Sequence, residues 1–158
     1  MRWDLVDKFY ILKKGEFAKA RKSFMGDEDF FKEHYPNNPS IPEPFFVEMV
    51  AQAGGVLFGL GIDFKKEVIL AKVLKASFLE IVKPPCECFV EAKMDEMREE
   101  GALILGEVRC RDRLVASATI LLVAVDSLAI GKSKIVFTED LLKHYDIFEI
   151  AKKSETKA

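Results

Sequence analysis

Apolar and polar residues alternate over residues 5–12 and again over 17–24, with Lys13-Lys14-Gly15-Glu16 between the two runs. A period of two on either side of a glycine predicts a β-hairpin. Runs of the same character recur at 67–79, 86–97, 102–111 and 114–125. Met97 to Gly101 supplies one glycine-containing turn and Arg111-Asp112-Arg113 a short polar one, so the second half of the chain predicts an antiparallel meander.

One segment breaks this pattern. From Phe45 to Phe58 nearly every residue is apolar or small, and the strongly polar members are Glu48 and Gln52. A helix that is apolar all round is a buried helix. Pro44 suits a first helical turn, Glu43 places negative charge near the positive helix end, and Gly59 and Gly61 suit its close, which predicts one helix over about 43–59. Gly54 and Gly55 in its middle predict that another backbone packs closely there. Before it, prolines at 36, 39, 42 and 44 make residues 34–43 a stiffened loop in which helix cannot persist. Residues 27–33 are short and acidic around Phe30 and Phe31. Beyond 125 the character changes again: Thr138 to Phe148 predicts a helix capped by Thr138, and 151–158 a polar, frayed end. One long apolar helix and about six strands predict an α+β fold, a sheet curled round a single helix, with the tail as an appendage.

Composition narrows the functions available. At 158 residues, 49% apolar and 32% charged, the chain suits one globular domain. A net charge of −2 without a basic block argues against nucleic-acid binding. Asp4 lies where a signal peptide needs apolar residues and no apolar run is long enough for a membrane span, so a cytoplasmic location is expected. The three cysteines, Cys86, Cys88 and Cys110, have no zinc spacing and are expected as free thiols in strands. His144 is expected at the surface.

The candidate chemistry lies at the start of the helix. His34 precedes it by the proline loop, and Glu48 and Gln52 are one turn apart on the same face. A carboxylate in apolar surroundings is pushed toward its protonated form while a histidine titrates near neutrality, so the two are suited to act as acid and base. The N–H groups at the helix start, near Glu43, Phe45 and Phe46, are suited to polarise a carbonyl oxygen.

His34-Tyr35-Pro36, Pro39, Pro42, Glu48, Ala51 and Gln52 resemble the signature of the 3-hydroxyacyl-acyl-carrier-protein dehydratases of fatty-acid synthesis, the FabZ type of hot-dog fold, in which a His-Phe-Pro-Gly loop leads to Glu-Ala-Met-Ala-Gln on the central helix. Leu5-Val6-Asp7, Phe30-Phe31 and the stretch Leu70 to Phe78 extend the resemblance to roughly residues 3–125. It implies a hot-dog domain over 1–125 and a partly helical extension over 126–158. It further implies that His34 abstracts the proton beside a thioester carbonyl and that Glu48, reached from the other subunit of a homodimer or higher oligomer, assists departure of the 3-hydroxyl. By the same resemblance the Glu43 N–H holds the thioester oxygen, Gln52 supports the acid, and Phe45, Phe46 and Val50 line an acyl tunnel. The substrate would be carried by acyl-carrier protein or CoA, with no metal or organic cofactor. The chain departs from the pattern at Asn37 and Glu43, where the family usually has glycine, and at Pro84-Pro85, where it tends to have Pro-Gly. A hot-dog thioesterase and a non-catalytic acyl-binding scaffold are the alternative functions.

Overall fold

The computed structural model describes residues 4–126 and 137–156. Six strands, β1 (Lys8–Lys13), β2 (Phe17–Phe24), β3 (Glu67–Phe78), β4 (Cys86–Met97), β5 (Gly101–Cys110) and β6 (Arg113–Val125), form one antiparallel sheet in the order β1-β2-β4-β5-β6-β3. Helices α1 (Asp29–Glu33) and α2 (Pro44–Gly61) lie between β2 and β3, while α3 (Glu139–His144) and α4 (Ile147–Glu155) follow the sheet. The expected α+β architecture is the one observed. The β1–β2 turn uses Gly15 at φ +74°, and Arg111 and Asp112, both at positive φ, make the tight β5–β6 turn.

The sheet wraps α2. In β4, Cys86, Cys88, Val90 and Ala92 are buried while Phe89, Glu91 and Lys93 face solvent, and β5 buries Ala102, Ile104 and Val108 in the same alternation. These side chains meet Phe46, Met49, Val50, Ala53 and Leu57 of the helix in one hydrophobic cluster. By length and apolarity α2, at 18 residues, would suffice to cross a membrane, yet most of it is enclosed by its own sheet. The small residues in its middle admit side chains rather than the backbone expected from sequence. A Cβ on Gly54 would lie 3.0 Å from Ile104, and one on Gly55 faces Phe137.

Two expectations need correction. Residues 147–155 are helical where a frayed end was expected after 150, and the segment packs against the sheet instead of hanging from it. Leu142, Tyr145, Ile147 and Ala151 belong to the same cluster as α2. The Leu12 N–H donates to Ser154 Oγ at 3.0 Å, and Tyr145 Oη donates to the Val6 carbonyl at 2.9 Å. The expected single helix from Thr138 is two: Thr138 caps α3 by accepting from the Leu141 N–H at 3.2 Å, and Asp146 at φ +51° separates α3 from α4. His144 is exposed as expected.

The cysteines are the second correction. Cys88 and Cys110 oppose each other across β4 and β5, with Cα atoms 4.5 Å apart, and are joined as a disulfide. Cys86 stays free and buried, and burial pushes its thiol pKa up. Thiol titration with an alkylating agent checks this: little labelling of the native protein at neutral pH, one thiol per chain after denaturation without reductant, and three after reduction.

Candidate active site

The loop that carries His34 is held at both ends. The His34 N–H donates to the Phe30 carbonyl at 2.9 Å and closes α1, while the Ile41 N–H donates to the Val82 carbonyl at 2.8 Å and Lys83 Nζ donates to Asn38 Oδ1 at 2.6 Å. Ser40 and Ile41 are buried at its base. The His34 ring is half-buried and meets the ring of Tyr35 edge-on at 4.5 Å. Tyr35 itself sits at φ +52°, a left-handed conformation that costs a bulky residue about 1 kcal/mol or more and fixes the direction in which the adjacent histidine leaves the backbone.

The two departures from glycine are accommodated without strain. Neither Asn37 nor Glu43 has positive φ, and Glu43 adopts ordinary right-handed helical angles, φ −55° and ψ −37°, as the N-cap of α2. Its side chain is exposed. The Phe45 and Phe46 N–H groups, expected as possible oxyanion donors, are engaged in the first turn with the carbonyls of Pro42 and Glu43 at 2.9 and 3.0 Å. The donor at Glu43 makes no hydrogen bond among the described residues.

Glu48 and Gln52 lie half-buried on one face of α2. Gln52 Nε2 donates to Glu48 Oε1 at 3.0 Å, and Gln52 Oε1 accepts from the Leu5 N–H at 3.0 Å. The glutamine amide is thus clamped between the chain's first strand region and the carboxylate, which fixes which oxygen of Glu48 is presented outward. Both residues line a cavity of about 600 Å³ together with Ala51, Gly55 and Val56 of the same helix face. Val68, Ile69 and Leu70 of β3 close one side, and Phe137, Leu141 and Tyr145 another.

Of the residues expected along an acyl tunnel, none lines this cavity. Phe46 and Val50 are about 1% exposed and pack into the sheet, where a Cβ on Gly106 would collide with Val50, and Phe45 meets Phe30 at a ring separation of 4.9 Å. The cavity is lined instead by the residues three, four, seven and eight positions after Glu48, whose small members Ala51 and Gly55 leave room beside the carboxylate. That spacing was present in the sequence as the signal that would have found them; for Phe137, Leu141 and Tyr145 no such signal existed. His34 is not among the cavity-lining residues, so within one chain the histidine and the acid do not share this cavity. No cluster of histidine, cysteine, aspartate and glutamate suited to a metal occurs among the described residues.

A 3-hydroxyacyl-[acyl-carrier-protein] dehydratase FabZ of Caldicellulosiruptor bescii is 32% identical over 118 residues, covering 70% of this chain and 84% of its own. The corresponding protein of Protochlamydia amoebophila is 34% identical over 121 residues, covering 77% and 74%. Among solved structures, the dehydratase heterocomplex ApeI:P of Xenorhabdus doucetiae superposes with a TM-score of 0.60 at 16% identity, over 80% of this chain and 86% of that one. A Streptococcus mutans protein bound to acetyl CoA superposes with a TM-score of 0.62 at 11% identity, over 80% and 93%. At such identities the structures establish the hot-dog fold alone. The profile of the FabA-like domain matches residues 2–119, well over half of the chain, and this protein belongs to the FabA-like family.

Proposed function

We propose that the chain removes water from a (3R)-hydroxyacyl thioester, carried by acyl-carrier protein or CoA, to give a trans-2-enoyl thioester in fatty-acid or related lipid synthesis in the cytoplasm. The observation that carries the reading is Glu48, clamped by Gln52 and lining an apolar cavity, at family spacing behind His34. His34 takes the proton from C2 as the C2–C3 double bond forms. Glu48 gives a proton to the departing 3-hydroxyl, which leaves as water, and the Glu43 N–H steadies the negative charge that develops on the thioester oxygen. One proton is taken and one given, so the pair is reset by a single transfer between them.

The two residues meet, in this reading, across a homodimer. Strand β3 is one of the two edges of the sheet, and along it Ile69, Leu70, Val73, Leu74 and Phe78 are exposed on both faces, Val73 at 42% and Leu74 at 50%. Neighbouring residues of a strand point to opposite faces, so α2 leaves even the inner face of β3 uncovered. A long apolar edge invites pairing, and a second copy of β3 laid antiparallel across a two-fold axis covers both faces at once. It also brings the Glu48 cavity, which β3 borders, toward the partner's loop at 34–43.

Substitution tests the site. His34→Ala and Glu48→Gln each lower kcat for formation of the enoyl thioester by about 10² or more, with unchanged sedimentation and melting. Wild-type release of free thiol from an acyl-CoA without enoyl product would instead establish a thioesterase, and retention of acyl binding with no turnover of any thioester would establish the scaffold. Leu74→Lys tests the interface: sedimentation shows a folded monomer, and dehydration falls to the level of the His34→Ala variant.

A further inference from the structure

The cavity beside Glu48 is closed by a part of the chain that the FabA-like match does not reach. That match ends at residue 119, whereas Phe137, Thr138, Leu141 and Tyr145 form one wall. This wall is fixed at several points. The Phe137 N–H donates to a carboxylate oxygen of buried Glu67 at 3.3 Å, and the Phe137 ring meets Phe64 at 5.1 Å. Tyr145 donates to the Val6 carbonyl at 2.9 Å and packs edge-on against Phe9 at 5.5 Å, and Ser154 receives the Leu12 N–H. Anchored to β1, to β3 and to the turn after α2, the segment cannot shift without breaking buried hydrogen bonds.

The cavity is also polar at one end and apolar at the other. Glu48 and Gln52 lie toward the start of α2; Gly55 lies two turns on, about 10 Å along the axis, where its bare backbone faces the Phe137 ring. The apolar lining includes Val6, Ala51, Val56, Val68 and Leu122. A volume of about 600 Å³ falls within the range of small-molecule sites, and the hydroxyls of the far wall are already engaged, Thr138 accepting from the Leu141 N–H and Tyr145 donating to the Val6 carbonyl, which leaves a mainly apolar lining there.

We propose that the segment from Phe137 to Glu155 is a chain-length gauge: the acyl tail of the substrate runs from Glu48 along α2 and ends against Phe137 and Leu141, which sets a medium-length limit on the chain accepted. This rests on the dehydratase reading for the identity of the head group, but the wall can be tested apart from it. Leu141→Trp brings bulk into the cavity from a partly buried helix position, and Leu141→Ala removes it.

The experiment compares kcat/KM of wild type, Leu141→Trp and Leu141→Ala over a series of (3R)-hydroxyacyl thioesters from four to sixteen carbons, alongside binding of a fluorescent medium-chain fatty acid. The tryptophan variant is expected to lower the long-to-short ratio by about 10-fold or more and the alanine variant to raise it, because each methylene admitted or refused by an apolar pocket changes the rate by about 10-fold or more. Ratios within about twofold of wild type in both variants, with melting curves showing them folded, would overturn the gauge. Should the tryptophan variant not fold, an unchanged ratio in the alanine variant alone overturns it. If wild type dehydrates no thioester, the dehydratase reading fails, and the gauge is then decided by fatty-acid binding: weakening by Leu141→Trp supports it, and unchanged binding overturns it.

Discussion

The structure depends on one requirement: α2 has to be buried. A helix of 18 residues with apolar or small side chains on almost every face has no solvent side, and a single sheet answers this by curling round it. The fit is close where the helix meets the strands. Gly106 makes room for Val50, and Gly54 makes room for Ile104. The same requirement determines where polar chemistry can occur. Glu48 and Gln52 lie on the one seam of α2 that its own sheet does not cover, so the carboxylate is held by the glutamine and opens on a cavity instead of on packed side chains.

One sheet is not enough to finish the enclosure. Strand β3 borders the Glu48 seam and carries apolar residues that stay exposed on both of its faces. In the proposed dimer two needs, covering β3 and completing a site whose histidine lies outside the cavity of the acid, would be met together by a second copy of the chain. The C-terminal helices serve the third open side. They reach back to β1 through Tyr145 and Ser154 and place Phe137 and Leu141 over the small residues of α2.

Most of the fold was legible because its elements carry strong periodic signals, such as the alternation of β4 and β5 and the unbroken apolar run of α2. The misses have physical reasons. Beyond Ile147, helix α4 buries only the small residues Ala151 and Ser154, and the latter is held by a hydrogen bond, so this stretch of sequence looks like a solvated tail. The Cys88–Cys110 pairing depends on a register that a bulge alters. Met97 opposes Ala102 at the turn, but the shift between Met94 and Glu96 moves the partner of Cys88 by one residue, to Cys110 in place of Arg111. Such a bulge has no distinctive residue type. Of the candidate site, Glu48 and Gln52 were legible as the polar members of an apolar helix, and His34 through the loop before it. Large residues were a poor guide to the cavity: Phe46 and Val50 face the sheet, whereas Ala51 and Gly55 leave space.

The central claim is that a base from one chain and an acid from another make one site. Mixing the His34→Ala and Glu48→Gln proteins under conditions of subunit exchange tests it most directly. A mixed dimer in which sites are shared contains one site with both residues intact, and random exchange makes half of the dimers mixed. The account predicts that dehydratase activity, nearly absent from either protein alone, returns to about a quarter of the wild-type value. Subunit exchange demonstrated by tagged chains with no return of activity would contradict it.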